Sequence, residues 1–586
     1  MNKTMLYTLA ILLLASNSYA QSSWIWGRGN TGGDMESWAV ATDPYGHEYV
    51  AGTSYATTVY FGADSIYDPL ATFGNAILTL VKYDENGNLM WAKGVNDNNS
   101  FPVNITTDSW GNVLLLGIFT NHIMIDTFNL YSNVMDSFQY FIVKLDTAGN
   151  VLWATTSGEF TNYSPYFTST SDDGDFLSWG GITTDLSGNV YVTGNFNSSS
   201  MVMGTDTLLN HDPSDTTNDV FVAMYNSSGS QVWATCFGGN NNDNVLSITV
   251  ASTGNVFISG ITSSPQIITG SDTLKNTIDV QIAFIAELSP TGTLLWGEDA
   301  GGVNGAFAAG LQSDHSGNVF MVGGFGDAYI VFGTDTIYRT YPAGVPYMET
   351  YLVKFNDTNH VIWHKTIGSP SCSIFGYSIA QGNAEDGAIW ISSAWSNSNS
   401  FSFFINDSAN IDGQKLYTPD SSTDPVLIAG YDWSGTVIGY AALQSGSDDQ
   451  TGIACDASNN VYLCADYAVG SGYTYFHAGN DSFFAVVDYG VGELQYIAKY
   501  GFNPAKVIPI ENDGNRMAIY PNPANNELCI NSSNIISSVS IYDLPGREMY
   551  KNTYHSAFIR LNIDYLNPGI YFIRINGDVV RKFIKE

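Results

Sequence analysis

The sequence predicts an all-β chain: a seven-bladed β-propeller followed by a small C-terminal β-sandwich. Three observations carry this. Two short motifs alternate seven times over, the runs between their turns are apolar and of strand length, and the composition changes near residue 505. The first motif runs Asp-x-x-Gly-Asn into an apolar strand: DPYGHEYVAG from Asp43, DSWGNVLLLG from Asp108, DLSGNVYVTG from Asp185 and DHSGNVFMVG from Asp314. ASTGNVFISG from Ala251, AEDGAIWIS from Ala384 and DASNNVYLCA from Asp456 are weaker copies. The second motif reads LVKYDENGNLMWA from Leu80, IVKLDTAGNVLWA from Ile142, VAMYNSSGSQVWA from Val222 and IAELSPTGTLLWG from Ile285. It continues as LVKFNDTNHVIWH from Leu352, IAGYDWSGTVIGY from Ile428 and AVVDYGVGELQYI from Ala485. A period of roughly 63 to 77 residues made of strands and tight turns marks a repeat array, and seven copies fall in the propeller range.

Residues 1–20 read as a secretory signal peptide, with Lys3 ahead of an apolar run from Met5 to Ala15 and Ser18-Tyr19-Ala20 as a cleavage site. No other stretch has the ~18 apolar residues of a spanning helix. The array is expected over 21–504. Each unit resolves into strand a before the first motif, strand b in its apolar tail, strand c at the head of the second motif, and strand d around its tryptophan. Many b and c strands are apolar throughout, as expected when both faces of a sheet are covered. The a–b and c–d turns then share one end of the sheets. The long b–c segments and variable d–a links collect at the other, where binding residues concentrate. Trp24-Ile25-Trp26-Gly27 and the Leu494–Lys499 run both resemble d strands, and one of them is expected to pair the chain ends.

The turn aspartates have a structural reason. Asp43, Asp108, Asp185, Asp314 and Asp456 each open a type I turn, where the carboxylate accepts turn amides and a glycine takes positive φ. Asn359 and Asn459 stand where that glycine is missing, asparagine being the next most tolerant residue there. A second set, Asp34, Asp97, Asp175, Asp243 and Asp449, precedes strand a in the d–a links. If strand a lines a central channel, these acids are candidates to ring its mouth and hold Ca²⁺ or a polar ligand. Solvated turn aspartates are the plainer alternative. The b–c segments repeat Asp-Ser/Thr-apolar (Asp64-Ser65-Ile66, Asp206-Thr207-Leu208, Asp335-Thr336-Ile337), which resembles the O-glycosylation acceptor of Bacteroidetes and equally suits a recurring hairpin.

The chain carries 55 acidic against 20 basic residues, and 49 against 12 between Gln21 and Arg516. Such a surface repels phosphate backbones and argues against nucleic acid and anionic lipid as partners. Five cysteines, odd in number, make no disulfide framework. Cys455 and Cys464 fall on neighbouring strands but diagonal to each other, so two buried thiols are expected in preference to a bridge. His360 and His364 lie four apart across a turn and strand, which does not make a metal pair. No catalytic motif with linear spacing is present.

Residues 505–516 read as a linker and 517–586 as a separate β module. Its motifs are Tyr520-Pro521-Asn522-Pro523-Ala524, Ile541-Tyr542-Asp543 with Gly546-Arg547, and Leu566-Asn567-Pro568-Gly569-Ile570-Tyr571. The module resembles the type A C-terminal sorting domain of proteins exported by the type IX secretion system of Bacteroidetes. That resemblance implies that it is read by the secretion machinery, and that the cargo is released or attached at the cell surface. The array itself resembles the SBBP family of bacterial β-propeller repeats, which implies the fold and no particular activity. The expected function is a secreted or surface-attached binding or adhesion module for an extracellular glycan or protein. An extracellular polysaccharide hydrolase or lyase and a structural matrix component are the alternatives.

Overall fold

The computed structural model describes the chain from Ser22 to Lys585, apart from internal stretches of which the longest are 68–75, 161–179, 397–407 and 503–516. The chain is all-β. It divides into two compact units, one spanning Ser22–Phe502 and one holding the C-terminal strands.

Among the described residues of the first unit, seven antiparallel sheets follow one another, six of them four-stranded and the fifth extended to six strands by the hairpin Ser408–Ile411 with Gln414–Tyr417. Sheet 1 consists of Met35–Thr42, Glu48–Ser54, Ile77–Tyr83 and Leu89–Gly94 as strands a to d. The a strands of sheets 2 to 7 are Ser100–Thr107, Gly180–Thr184, Asp243–Val250, Ala306–Ser313, Ser373–Gln381 and Gly452–Cys455. Each a strand lies against the next, and Gly452–Cys455 lies against Met35–Thr42, so the contacts run in a cycle. Strands b and c are buried along their lengths in most sheets, as in Val113–Thr120 and Ile282–Leu288. Adjacent sheets cover those faces. Leu80 and Tyr49 of sheet 1, for example, share a core cluster with Leu115 and Phe141 of sheet 2.

Most b–c segments fold into a short hairpin, such as Thr58–Phe61 with Asp64–Tyr67 or Ser200–Met203 with Asp206–Leu209. These hairpins account for the Asp-Ser/Thr-apolar pattern. Ile66, Leu208 and Ile337 are buried, and Asp206 accepts the backbone N–H of Ala234 at 2.9 Å, tying its hairpin to strand d.

Sheet 7 departs from expectation. Its order is Gly452–Cys455, Val461–Ala468, Glu493–Phe502 and then Ser22–Gly29. Residues 493–502 therefore form strand c, and the N-terminal strand supplies d. The copy placed at Ala485 falls instead in a separate hairpin, Tyr473–Ala478 with Asp481–Val486. The true c-strand signal is Ala498-Lys499-Tyr500-Gly501, the counterpart of Val81-Lys82-Tyr83-Asp84 in sheet 1.

The second motif is spelled by what sheets do to each other. Its tryptophan on strand d donates Nε1–H to a carbonyl in the c–d turn of the following sheet: Trp153 to Ser227 at 3.2 Å, Trp233 to Pro290 at 3.0 Å, Trp363 to Trp433 at 3.1 Å. The indole also lies flat on that turn's glycine. A β-carbon on Gly229 would come within 2.7 Å of Trp153, and one on Gly87 within 2.9 Å of Trp26. Trp26 belongs to the N-terminal strand, so the same indole-on-glycine contact, without the Nε1–H bond, joins sheet 7 to sheet 1. Further bonds cross that seam, among them Lys499 Nζ to the Glu85 carbonyl at 3.0 Å, Arg28 Nε to the Gly87 carbonyl at 3.0 Å, Thr42 Oγ1 to the Cys455 carbonyl at 2.6 Å, and the Ser37 amide to Asp466 at 2.6 Å.

Sheet 6 lacks the tryptophan, having Gly439 instead. Trp390 of strand b occupies the space: β-carbons on Gly430 and Gly439 would meet its ring at 2.6 and 2.9 Å. It packs edge-on against Tyr500 of sheet 7, with centroids 5.5 Å apart.

In the C-terminal unit the sequence suggested three strand-like runs in a sandwich. The described residues form five strands in one hydrogen-bonded sheet. Glu527–Asp543 pairs with Glu548–Asn562 along one edge, and with Met517–Tyr520 and Gly569–Ile575 along the other. Its polar middle, which reads as a break, continues the strand through a register irregularity between Asn531 and Ile536. Leu528, Ile541, Leu561, Ile573 and Phe583 share one core.

Two outcomes follow from this packing. Gly229 sits at φ +84° beneath Trp153. Gly229→Ala is therefore expected to cost about 1–3 kcal/mol, read as a lower midpoint in urea unfolding with unchanged slope. Glu48 is fully buried at the position where the other b strands begin with valine or similar residues. Burial pushes its carboxyl up to about 9, with Tyr462 and Lys499 of sheet 7 pulling the other way. The folded state thus holds a proton that the unfolded chain releases near pH 4.5, and stability contributed by that proton is lost as pH rises toward 9. Glu48→Gln should raise the melting temperature more at pH 9 than at pH 5; an equal shift at both would show that the carboxyl does not titrate in the fold.

Candidate functional site

A strand alternates its side chains, and in each a strand the alternate set faces inward. Counting back from the turn-aspartate position aligns all seven. One position before it stand Thr42, Thr107, Thr184, Val250, Ser313, Gln381 and Cys455. Three before it stand Val40, Ile105, Ile182, Ile248, Leu311, Ile379 and Ile453, an aliphatic belt. These a strands bound a cavity of about 540 Å³ to which all seven contribute residues. At its turn end, hydroxyls link neighbouring strands. Thr107 Oγ1 donates to the Thr42 carbonyl at 2.7 Å, Thr184 to Thr107 at 3.1 Å, and Ser313 to Val250 at 2.7 Å.

Five positions before the aspartate the register slips. The a–b ladder skips one residue between Ser37 and Ala39, Pro102 and Asn104, Val245 and Ser247, Ala308 and Gly310, and Gly376 and Ser378. The unpaired residues are Trp38, Val103, Leu246, Ala309 and Tyr377, and all five line the cavity. Gly180 and Thr451 hold the position in sheets 3 and 7. A β-bulge re-aims a side chain at the expense of a ladder bond, and here it recurs at one register in five sheets. Trp38 Nε1 is buried with no hydrogen-bond partner among the described residues, as is Gln381 Oε1. Phe375 stacks on Tyr377 at 6.2 Å and lies 6.3 Å from Phe307. No Asp, Glu, Lys, Arg or His is among the described lining residues, in a chain of net charge −35.

Of the d–a acids proposed for the mouth, Asp97, Asp175 and Asp449 lie outside the described residues. Asp34 and Asp243 are described, and neither lines this cavity. Asp243 is fully buried and held by its own neighbours: Oδ1 accepts from Thr262 Oγ1 at 2.5 Å, Oδ2 from Ser264 Oγ and the Gly239 amide at 2.8 Å. Burial pushes its carboxyl up to about 6. No cluster of three or more potential metal ligands occurs among the described residues. Sequence reasoning looked to the links for function and passed over the bulge register. The visible signal was that this inward position ranges from Trp38 to Ala309 while the position two nearer the turn stays aliphatic.

The turn aspartates have full sets of partners. In Asp43, Asp108, Asp185, Asp314 and Asp456, Oδ1 accepts the backbone N–H groups two and four residues on. Oδ2 takes the side chain at the fourth, which is asparagine in four of them and His47 in the first, at 2.7 Å. A buried lysine from strand c completes four of the five, closest between Lys144 and Asp108 at 2.8 Å. Where the aspartate is lost the lysine changes with it. Sheet 4 has Ala251 and Glu287, and Glu287 binds Asn255 and Asn359 instead. Asn359 and Asn459 adopt φ +62° and +61°. Cys455 pairs with Val461 and Cys464 with Gly452, so the two thiols are diagonal; both are free and buried.

With this geometry in hand, the comparisons separate the two units. Residues 518–586 match the secretion system C-terminal sorting domain. They are an export signal. The protein is therefore delivered by the type IX system to the cell surface or the surrounding medium, and no helix among its described residues is long and apolar enough to cross a membrane. Within the sorting domain, Tyr571 Oη donates to the Asn567 carbonyl at 2.9 Å, fixing the Pro568-Gly569 turn; Pro521, Asn522, Pro523 and Gly546 lie outside the described residues.

The first unit has weaker likenesses. An uncharacterized WD repeat-containing protein, L264 of Acanthamoeba polyphaga mimivirus, is 30% identical over 178 residues, which is 27% of this chain and 11% of that protein's length. A protein of unknown function from Dyadobacter fermentans aligns over 83% of this chain and all of its own, at 9% identity and TM-score 0.33. PorZ, described as an essential surface component of the type IX system of Porphyromonas gingivalis, aligns over 96% of this chain and 99% of its own, at 9% identity and TM-score 0.16. Scores this low fix no fold.

Asp108, hydrogen-bonded by Lys144 and Asn112, is held below the ordinary carboxylate range despite its burial. Asp108→Ala leaves Lys144 buried and unpaired and is expected to cost about 3–5 kcal/mol. Adding Lys144→Met should recover much of that loss. Stability from this pair is complete above the unfolded carboxylate pKa and disappears as pH falls through the depressed folded value. The double variant should therefore show a shallower acid limb in pH-dependent melting.

Proposed function

We propose that residues 22–502 form a closed seven-bladed propeller that acts as a binding module, carried to the cell surface or beyond by the sorting domain. The observation that supports this reading most is the cavity bounded by the a strands of all seven sheets, with bulged side chains facing into it. Its support for closure is the seam between the first and last sheets, which repeats the indole-on-glycine staple used elsewhere around the unit. A seven-bladed disc leaves the long b–c and d–a segments at one end, above the cavity mouth. A pocket of this volume suits a ligand of ordinary small-molecule size.

The hydrolase reading needs a pair of carboxylates flanking a scissile bond. The described lining residues supply none, so such a pair would have to come from outside them. A binding role needs no such addition. The full chain, screened against extracellular glycans and proteins, is expected to bind without turnover, with no increase in reducing ends. Turnover abolished by Asp97→Asn would replace this reading with the hydrolase. Images showing an open stack of sheets would remove the disc.

A further inference from the structure

We propose that the bulge register is an asymmetric site for a neutral saccharide, seated against Trp38 and Tyr377. The inference rests on the binding-module reading and names the ligand class. Around the cycle the seven positions run Trp38, Val103, Gly180, Leu246, Ala309, Tyr377 and Thr451. Sheets 6, 7 and 1 are consecutive, so the two aromatic residues flank Thr451 on one side of the cavity. Gly180 and Ala309 leave room on the other. The belt below is aliphatic in every sheet, and the hydroxyl register below that is polar or small. The bulged position departs from the repeat that these two registers keep, and the stacking of near-equal units does not require that asymmetry.

The chemistry of the lining chooses among ligand classes. An anion would enter a strongly acidic molecule and meet no cation among the described lining residues. A cation would be drawn to the surface and then stripped of water where no described lining residue offers a carboxylate. A wholly apolar ligand would leave Gln381 Oε1 and the indole N–H of Trp38 against groups that cannot pair with them. A neutral sugar ring satisfies both demands. Its C–H faces cover aromatic surface, and its hydroxyls donate and accept around the rim.

The test uses the full chain on an array of neutral and acidic glycans, with affinities of the hits measured by calorimetry. Neutral glycans should bind, with little change as salt is raised. Ala309→Trp fills the cavity from an unpaired position and should weaken binding at least about tenfold with the melting temperature kept. Trp38→Phe keeps a ring and removes the N–H, and should weaken it about threefold to tenfold. Hits confined to acidic glycans, or neutral binding that survives both substitutions, would overturn the cavity site and leave the binding module standing. A chain that binds no glycan, protein or cell surface would overturn both.

Discussion

Burial of both faces of each sheet is the constraint on which the first unit depends. A four-stranded meander whose b and c strands are apolar throughout cannot stand in water alone, and each sheet here is covered by its neighbours. Covering is transitive only if the last sheet meets the first. The N-terminal strand does this twice over: it completes sheet 7 as strand d, and it lays Trp26 on the first c–d turn. Chain ends 480 residues apart thereby become one piece of structure, as the register between Ser22 and Phe502 records. Such long-range pairing forms late and slowly, since loop closure comes before any contact that rewards it.

The staple also explains which residues repeat and which drift. The c–d glycine is kept for two separate reasons, positive φ and the indole above it, so a substitution there fails twice. Where the buried aspartate is lost the lysine goes with it, while sheet 3 keeps Asp185 opposite Met224 and leaves that aspartate half-buried. In sheet 4 the pair becomes Ala251 and Glu287, and in sheet 6 it becomes Gly382 and Gly430, with Trp390 filling the space. Leaving one member alone would bury an unpaired charge, which costs more than losing both.

Much of this was legible in the sequence, because turn chemistry is local. Asp-x-x-Gly fixes its own hydrogen bonds, and Asn359 and Asn459 could be read as left-handed from their neighbours alone. Strand identity in sheet 7 was not legible from the turn pattern, since its strand d is supplied from the opposite end of the chain and no c–d turn exists there. The buried lysine was the better marker: Lys499 aligns with Lys82, Lys144 and Lys354, each reaching a turn aspartate. The bulges escaped notice for a different reason. An extra residue in one strand leaves composition unchanged and shows only in pairing.

Function on such a scaffold has few places to reside. Positions that face a neighbouring sheet are held by packing, and positions in the turns are held by hydrogen bonds. Inward positions near the turns are held by the hydroxyls that link one a strand to the next. The bulged residues have left the ladder and border the cavity, and of these Val103 is also buried between sheets 2 and 3. The register can therefore change from Trp38 to Ala309 with the same ladder slip kept. Trp38 beside Thr451 and Tyr377 is an arrangement the fold permits and does not require, and its buried indole N–H, with no acceptor among the described residues, is a cost that a bound hydroxyl would remove.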